Sequence, residues 1–264
     1  MWRLTTEEIA LLLSLTGRPE LAQSFLLEEI DSSLTQIQVR ERLMSATHSL
    51  LASQHAAVTS DGRILLEADM AVIADVLVHV PYSLRLTRTY HNAEFNQTYH
   101  WGERQIIAHW LEQGVVHCFE FVDDLPAVAK VATEFFVDGA STSDGEASLL
   151  LDDAVFQQIM TLTDNQDLQR QLNGVSFSDS GAAEMFAVDV IRPKFRGSVL
   201  LVRYPTDNPP IANDGFLLLA GENRLWLIEP NQDQHQVALT SIGASTLEMK
   251  IQAVLHKISV PAVF

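Results

Sequence analysis

Three residues, His109, His117 and Cys118, bring imidazole nitrogens and a thiol close together in sequence, and Asp123 and Asp124 add carboxylates a few positions later. Nitrogen, thiolate sulfur and carboxylate oxygen are the donors that zinc takes. The segments 104–111 and 115–122 read as two strands of a hairpin around Gln113-Gly114. A two-residue loop there puts Leu111 opposite Val116, Trp110 opposite His117, and His109 beside Cys118. In that register Ile106, Ala108, Trp110, Phe119 and Phe121 share one face, the expected core face. Structural zinc sites normally announce themselves by close ligand pairs such as C-x-x-C, and this chain has none. No metal is therefore expected, and His109 and Cys118 are its only candidates. A thiol beside an imidazole also belongs to nucleophilic catalysis, but no oxyanion loop or orienting third residue accompanies this pair.

His91, His100, His109 and His117 recur at nearly nine residues. That interval has no meaning within a single helix or strand, so it reads as coincidence. The chain lacks G-x-x-x-x-G-K-[ST], G-x-G-x-x-G, H-E-x-x-H and G-x-S-x-G. The carboxylate pairs Asp123-Asp124 and Asp152-Asp153 stand at expected helix starts, where capping and the helix dipole account for them. No catalytic residue and no cofactor is expected. Catalytic carboxylates drawn from distant positions leave no local signature, so an enzyme with dispersed residues stays as an alternative.

Seventeen Lys plus Arg stand against 34 Asp plus Glu, a formal charge of −17. Such a surface repels phosphate backbones and anionic lipid alike, which argues against nucleic-acid and membrane partners. The apolar fraction of 47% supplies an ordinary globular core. Cys118 is the sole cysteine, so no internal disulfide forms. Glu7 and Glu8 occupy the place where a signal peptide needs basic residues, and no apolar run approaches the roughly 20 residues of a membrane span. A cytoplasmic location is the expectation.

These side chains need elements to position them. Thr5 with Glu7 and Glu8 caps a first helix carrying Ile9, Leu12 and Leu13, and Gly17-Arg18-Pro19 ends it. Further helices are expected at 20–30 and 35–53, then a small hairpin at 57–65. This grouping resembles a winged helix-turn-helix, and a transcription-related role is a second alternative that the charge disfavours. Residues 67–79 read as a helix, 83–88 as a strand, 104–122 as the hairpin and 123–136 as a helix. The run 138–148, DGASTSDGEAS, lacks large apolar residues and reads as a linker. A helix at 152–162 follows, then strands at 184–191 and 195–204. A second hairpin joins 216–220 to 224–229 around Gly221-Glu222-Asn223, and a helix at 245–257 closes the chain. Each half thus runs helix, strand, Trp-bearing hairpin, helix. The expected class is α+β: two pseudo-repeated halves, each a mainly antiparallel sheet with flanking helices, after an N-terminal helical segment. The expected domains are 1–137 and 149–264, joined by 138–148.

The opening L-T-x-x-E-I-x-x-L-L (Leu4 to Leu13), the helix and small hairpin near 40–66, and two sheet-bearing halves together resemble the EspG-type cytoplasmic chaperones of type VII secretion. That resemblance implies a quasi-twofold α/β fold cradling the helical tip of a secretion substrate; no functional residue carries over. From the residues themselves, 216–220 and 225–228 are apolar on both alternating faces, and such strands need cover on both. If one face lacks a helix, Phe216, Leu218 and Leu227 become candidate binding residues. The expected function is non-enzymatic: binding another protein, as a chaperone or adaptor. The charge makes one outcome testable at once. Labelled random duplex DNA titrated at about 150 mM salt should show no binding, and salt-sensitive micromolar binding would refute this.

Overall fold

The structure, a computed structural model, describes residues 1–91, 93–103, 105–137, 147–161, 167, 180–205, 209–222, 224–231 and 235–258. A short strand, β1 (Trp2–Leu4), precedes three helices, α1 (Thr6–Leu15), α2 (Pro19–Glu29) and α3 (Gln36–Ala52). The expected cap starts α1. The Thr5 hydroxyl accepts from the Glu8 amide at 3.2 Å, and the Glu8 carboxylate accepts from the Thr5 amide at 2.8 Å. Thr35 and Gln38 repeat this reciprocal arrangement at the start of α3. The small hairpin pairs β2 (Ala56–Val58) with β3 (Ile64–Leu66). Arg40 and Arg42 are the only Lys or Arg residues of α3, and Arg42 is taken by Glu7, so this helix presents no basic stripe to a phosphate backbone.

Helix α4 (Ala68–Val78) leads into β4 (Tyr82–Tyr90), β5 (Ala93–Trp101), β6 (Ile106–Glu112) and β7 (Val116–Val122), followed by α5 (Leu125–Val137). The second half gives β8 (Ser148–Asp152), α6 (Asp153–Thr161), α7 (Ser180–Ile191), β9 (Phe195–Arg203), β10 (Ile211–Ala220), β11 (Leu225–Asn231), β12 (Gln236–Ile242) and α8 (Ala244–Leu255). Helix, four strands, helix is the order of α4 to α5 and again of α7 to α8, one strand more in the first half than the expected helix, strand, hairpin and helix. The ten long-sheet strands follow the order β1-β7-β6-β5-β4-β9-β10-β11-β12-β8, and β2-β3 form a separate pair. The class is α+β with a large antiparallel sheet. Among the described residues no helix is long and apolar enough to cross a membrane.

Contacts divide the chain into two compact units that interleave in sequence. Unit 1 comprises Met1–Ser83, Gln97–Asp124 and Arg203–Ile211; its core packs Leu4, Leu12, Leu26, Leu50, Ile73, Ile107 and Phe119. Unit 2 comprises Leu84–Asn96, Leu125–Val202 and Ala212–Phe264, with a core around Phe156, Phe186, Leu219, Trp226 and Leu239. Residues 138–146 of the expected linker lie outside the described residues. Its last two positions already belong to unit 2, since Ala147 accepts from the Ser241 amide and Ser148 begins β8.

Three local expectations change. The segment 184–191 is helix, not strand. Phe186 and Val190 are buried and Val188 is 62% exposed, so the apparent alternation is one helical face met twice, with Ala182 and Ala183 extending it. Strand β5 was hidden because Asn96-Gln97-Thr98 interrupt the brief apolar alternation of Ala93 and Phe95. The β6–β7 turn holds three residues rather than two, with Gln113 and Gly114 both at positive φ. Every pair therefore slips by one: Leu111 faces His117, Trp110 faces Cys118, and His109 faces Phe119. The inward face is Ile107 and Phe119 with His109 and Phe121, not Ile106, Ala108 and Trp110.

A buried carboxylate ties unit 2 together. Asp189 of α7 is 2% exposed and accepts from the Trp226 indole at 2.9 Å and the Arg224 guanidinium at 2.8 Å. A Cβ on Gly221 would lie 2.0 Å from its Oδ1, so the β10–β11 turn needs glycine to admit it. Asp189→Ala should cost about 3 kcal/mol, because it leaves a core indole N–H and a guanidinium without an acceptor. Chemical denaturation measures it, and a loss below about 1 kcal/mol would show the tie to be dispensable.

Candidate functional site

The two candidate ligands, His109 and Cys118, are not brought together. His109 and Cys118 project from opposite faces of the sheet, because His109 is opposite Phe119 and Cys118 opposite Trp110. Cys118 is buried beside Glu112, and both burial and that carboxylate push the thiol above its ordinary value. A thiol held protonated is a poor nucleophile and a poor ligand. Among the described residues no group of three or more His, Cys, Asp and Glu has metal-holding geometry.

The histidines instead meet one another across neighbouring strands. His100 of β5, His109 of β6 and His117 of β7 share one face of unit 1. His100 Nε2 stands 3.5 Å from His109 Nδ1, and His109 Nε2 stands 2.9 Å from His117 Nδ1. The ends meet hydroxyls: Ser83 Oγ lies 2.9 Å from His100 Nδ1, and Thr6 Oγ1 lies 3.3 Å from His117 Nε2. Loss of solvent, then the neighbouring His100 and His117, hold His109 well below its ordinary pKa; burial lowers His117 as well. The nine-residue interval was therefore a signal, namely one strand plus one turn of a meander.

The predicted binding residues turn inward. Phe216, Leu218 and Leu227 are 5%, 2% and 2% exposed, and Leu218 is paired directly with Leu227. Their face carries Asp214 and Glu229, which meet Lys257 and Lys250 at 2.7 and 2.8 Å. Lys257 follows α8 and Lys250 belongs to it, so α8 covers this face, the one opposite α6 and not the same one. On the opposite face, α6 and α7 pack over Leu219, Trp226 and Leu239. There the cover ends before Leu217, which is 43% exposed although its partner Ile228 is buried.

Leu217 stands in a groove of ≈ 610 Å³, bounded by Phe156 and Gln157 of α6, Ile228 and Pro230 of β11, and Val237 of β12. Asp153 and Asp214 also line it. Apolar walls with a few carboxylates suit a helix that offers an apolar stripe, since such a stripe repeats at three and four residues and needs no backbone pairing. Sequence reasoning chose the wrong parity on β10 because both faces are equally apolar; only the placement of α8 separates them.

The family model described as "Uncharacterised protein YfjC" matches residues 31–251, most of the chain. The chain belongs to the YfjC family. Among curated proteins nothing matches this YfjC-family chain. Among solved structures it is similar to the Mycobacterium tuberculosis type VII secretion system chaperone EspG5, determined in complex with a PE25-PPE41 dimer. The likeness has a TM-score of 0.56 at 10% identity and covers 80% of this chain and 83% of that one. Identity at that level speaks for a shared fold, in agreement with the EspG-like architecture expected from the sequence.

Leu218→Asp should remove more than about 4 kcal/mol of stability, because it places an unpaired charge beneath α8. Thermal or denaturant unfolding reads this; unchanged stability would return that face to the surface.

Proposed function

We propose that this YfjC-family protein is a non-enzymatic binding protein, a cytoplasmic chaperone or adaptor that holds a helical segment of a secreted or assembled partner. The observation that carries the reading is the groove around Leu217, an apolar surface left open beside α6. An exposed leucine between buried Ile228 and Phe156 loses little by staying wet alone but gains when another chain covers the whole group. The fold supports the same reading, because EspG5 is a secretion chaperone captured with a protein dimer. A helix laid against the groove brings anchors at i, i+3 and i+4 to Leu217, Ile228 and Phe156. The carboxylate of Asp153 at the groove's rim favours basic residues flanking that stripe.

The test is co-expression with each small helical secreted protein encoded beside the gene, followed by size-exclusion chromatography. A stable complex is expected with at least one of them. Leu217→Asp should abolish it while shifting monomer stability by no more than about 0.5 kcal/mol, as surface changes do. Absence of any complex would count against the chaperone reading, and a complex untouched by Leu217→Asp would remove the groove as its site.

A further inference from the structure

Strands β10 and β11 separate within unit 2. Their ladder runs only from Leu217 opposite Ile228 to Ala220 opposite Leu225. β10 itself begins at Ile211, well before that ladder, and β11 goes on to Asn231, beyond it. On their outer sides both strands stay paired, β10 with β9, and β11 with β12 as far as Asn231 opposite Gln236. The sheet is therefore split, with one edge of β10 facing one edge of β11 and no described strand between them. The groove follows that split, for it is lined by every residue from Ala212 to Leu217 in succession. Successive strand residues point to opposite faces, so a cavity touching all of them runs along the backbone edge as well as beside Leu217.

Two residues keep the split open. Continued past Leu217, the register would set Gly215 opposite Pro230. Pro230 has no N–H to give to a ladder, so its nitrogen side belongs at an unpaired edge. Gly215 leans the other way: a Cβ on it would stand 2.3 Å from the Val199 carbonyl oxygen of β9. Glycine inside a strand marks such a close approach of another backbone. β10 is thus drawn onto β9 at the residue where β11 cannot pair with it. Backbone N–H and C=O groups along such an edge want partners, and an extended chain supplies them in the right spacing.

We propose that the split is a strand acceptor: an extended segment of a bound protein adds to β10 along Ala212–Phe216, by β-augmentation. The occupant is apolar at alternate positions, because Phe156, Ile228 and Val237 wall the opening. Its end near α6 is basic. Asp153, the first residue of α6, lines the opening, and its carboxylate accepts from Gln157 at 3.4 Å. Among the described residues no Lys or Arg pairs with it, which leaves the charge for the occupant. β11 and α6 flank the edge, so a single extended chain reaches it where the border of another folded sheet does not. The inference rests on the proposed binding role for the identity of the chain that supplies the strand. It goes beyond that role in giving the partner an extended stretch beside the helical one that covers Leu217.

The probe is a synthetic acetylated hexapeptide amide, Lys-Val-Thr-Val-Thr-Val, added at millimolar concentration to the full chain, with hydrogen exchange read residue by residue. It should slow exchange at alternate amides of Ala212–Phe216 by at least about threefold and leave unit 1 unchanged. Two further versions carry N-methyl groups, one on the valines and one on the threonines. In a strand the N–H groups of alternate residues point to the same edge, so one version loses its bonds to β10 and the other keeps them. One should abolish the protection and the other preserve it. Protection by both would mean side-chain contact without strand addition and would overturn the proposal. Loss from both, or no protection by the parent peptide, would overturn it as well. Glu in place of the peptide's Lys should weaken protection about threefold, and an unchanged value would refute the basic end. This reading and the chaperone reading fail separately. The peptide needs no helical partner, so its result stands whether or not a secreted protein is captured. A captured partner that leaves the β10 edge unprotected would remove the strand and keep the helical groove.

Discussion

Strands β10 and β11 are apolar on both faces, and unit 2 is arranged around the need to take both out of water at once. A strand of this kind cannot stand at a solvated surface, so helices must lie above and below it. On one side α8 provides the cover, and its lysines are fixed by Asp214 and Glu229 on the strands beneath. On the other, α6 and α7 bury Trp226, whose indole N–H would be stranded in an apolar core without Asp189. Gly221 gives that carboxylate its space, so a turn residue with no side chain determines whether an aromatic core residue can be satisfied. The groove around Leu217 is what remains where this double cover stops.

Unit 1 meets a different demand with different means. Two of its helices carry their own termini: the Thr5–Glu8 and Thr35–Gln38 boxes satisfy amides that a helix start otherwise leaves bare. Glu8 shows how tightly these local devices are joined to packing, because the same carboxylate that closes the cap also accepts from Ser49 of α3. Glu8 thus serves capping and packing at once, and the histidine series carries polar contacts of this kind from the helices into the sheet.

What the sequence revealed depended on whether a local rule and the tertiary setting agreed. Helix α1 was legible because a capping residue and apolar spacing of three and four coincide there, and α4 and α8 by their apolar spacing. The β10–β11 hairpin was legible too, since its glycine-bearing turn lies between two apolar runs. Helix α7 was misread because Phe186, Val188 and Val190 alternate as a strand would, and nothing local reveals that Val188 faces solvent. The β6–β7 register failed by one residue because Gln113, a residue without special licence for positive φ, takes that conformation beside Gly114. That single slip moved Cys118 away from His109 and concealed the histidine series, which needs three strands in correct register to exist. The groove was beyond reach for another reason: two equally apolar faces cannot be told apart until a helix chooses one.

The ends of the large sheet have a consequence for the protein in concentrated solution. Among the described residues its outermost strands are β1, of three residues, and β8, of five. An unpaired strand edge is a template on which another molecule can add its own strand, and such additions propagate into aggregates. Templates this short present few backbone groups in a row, and Arg3 sets a cation in the middle of one of them. A chain with long, doubly apolar strands in its interior thus keeps them away from the positions where molecules could polymerise edge to edge.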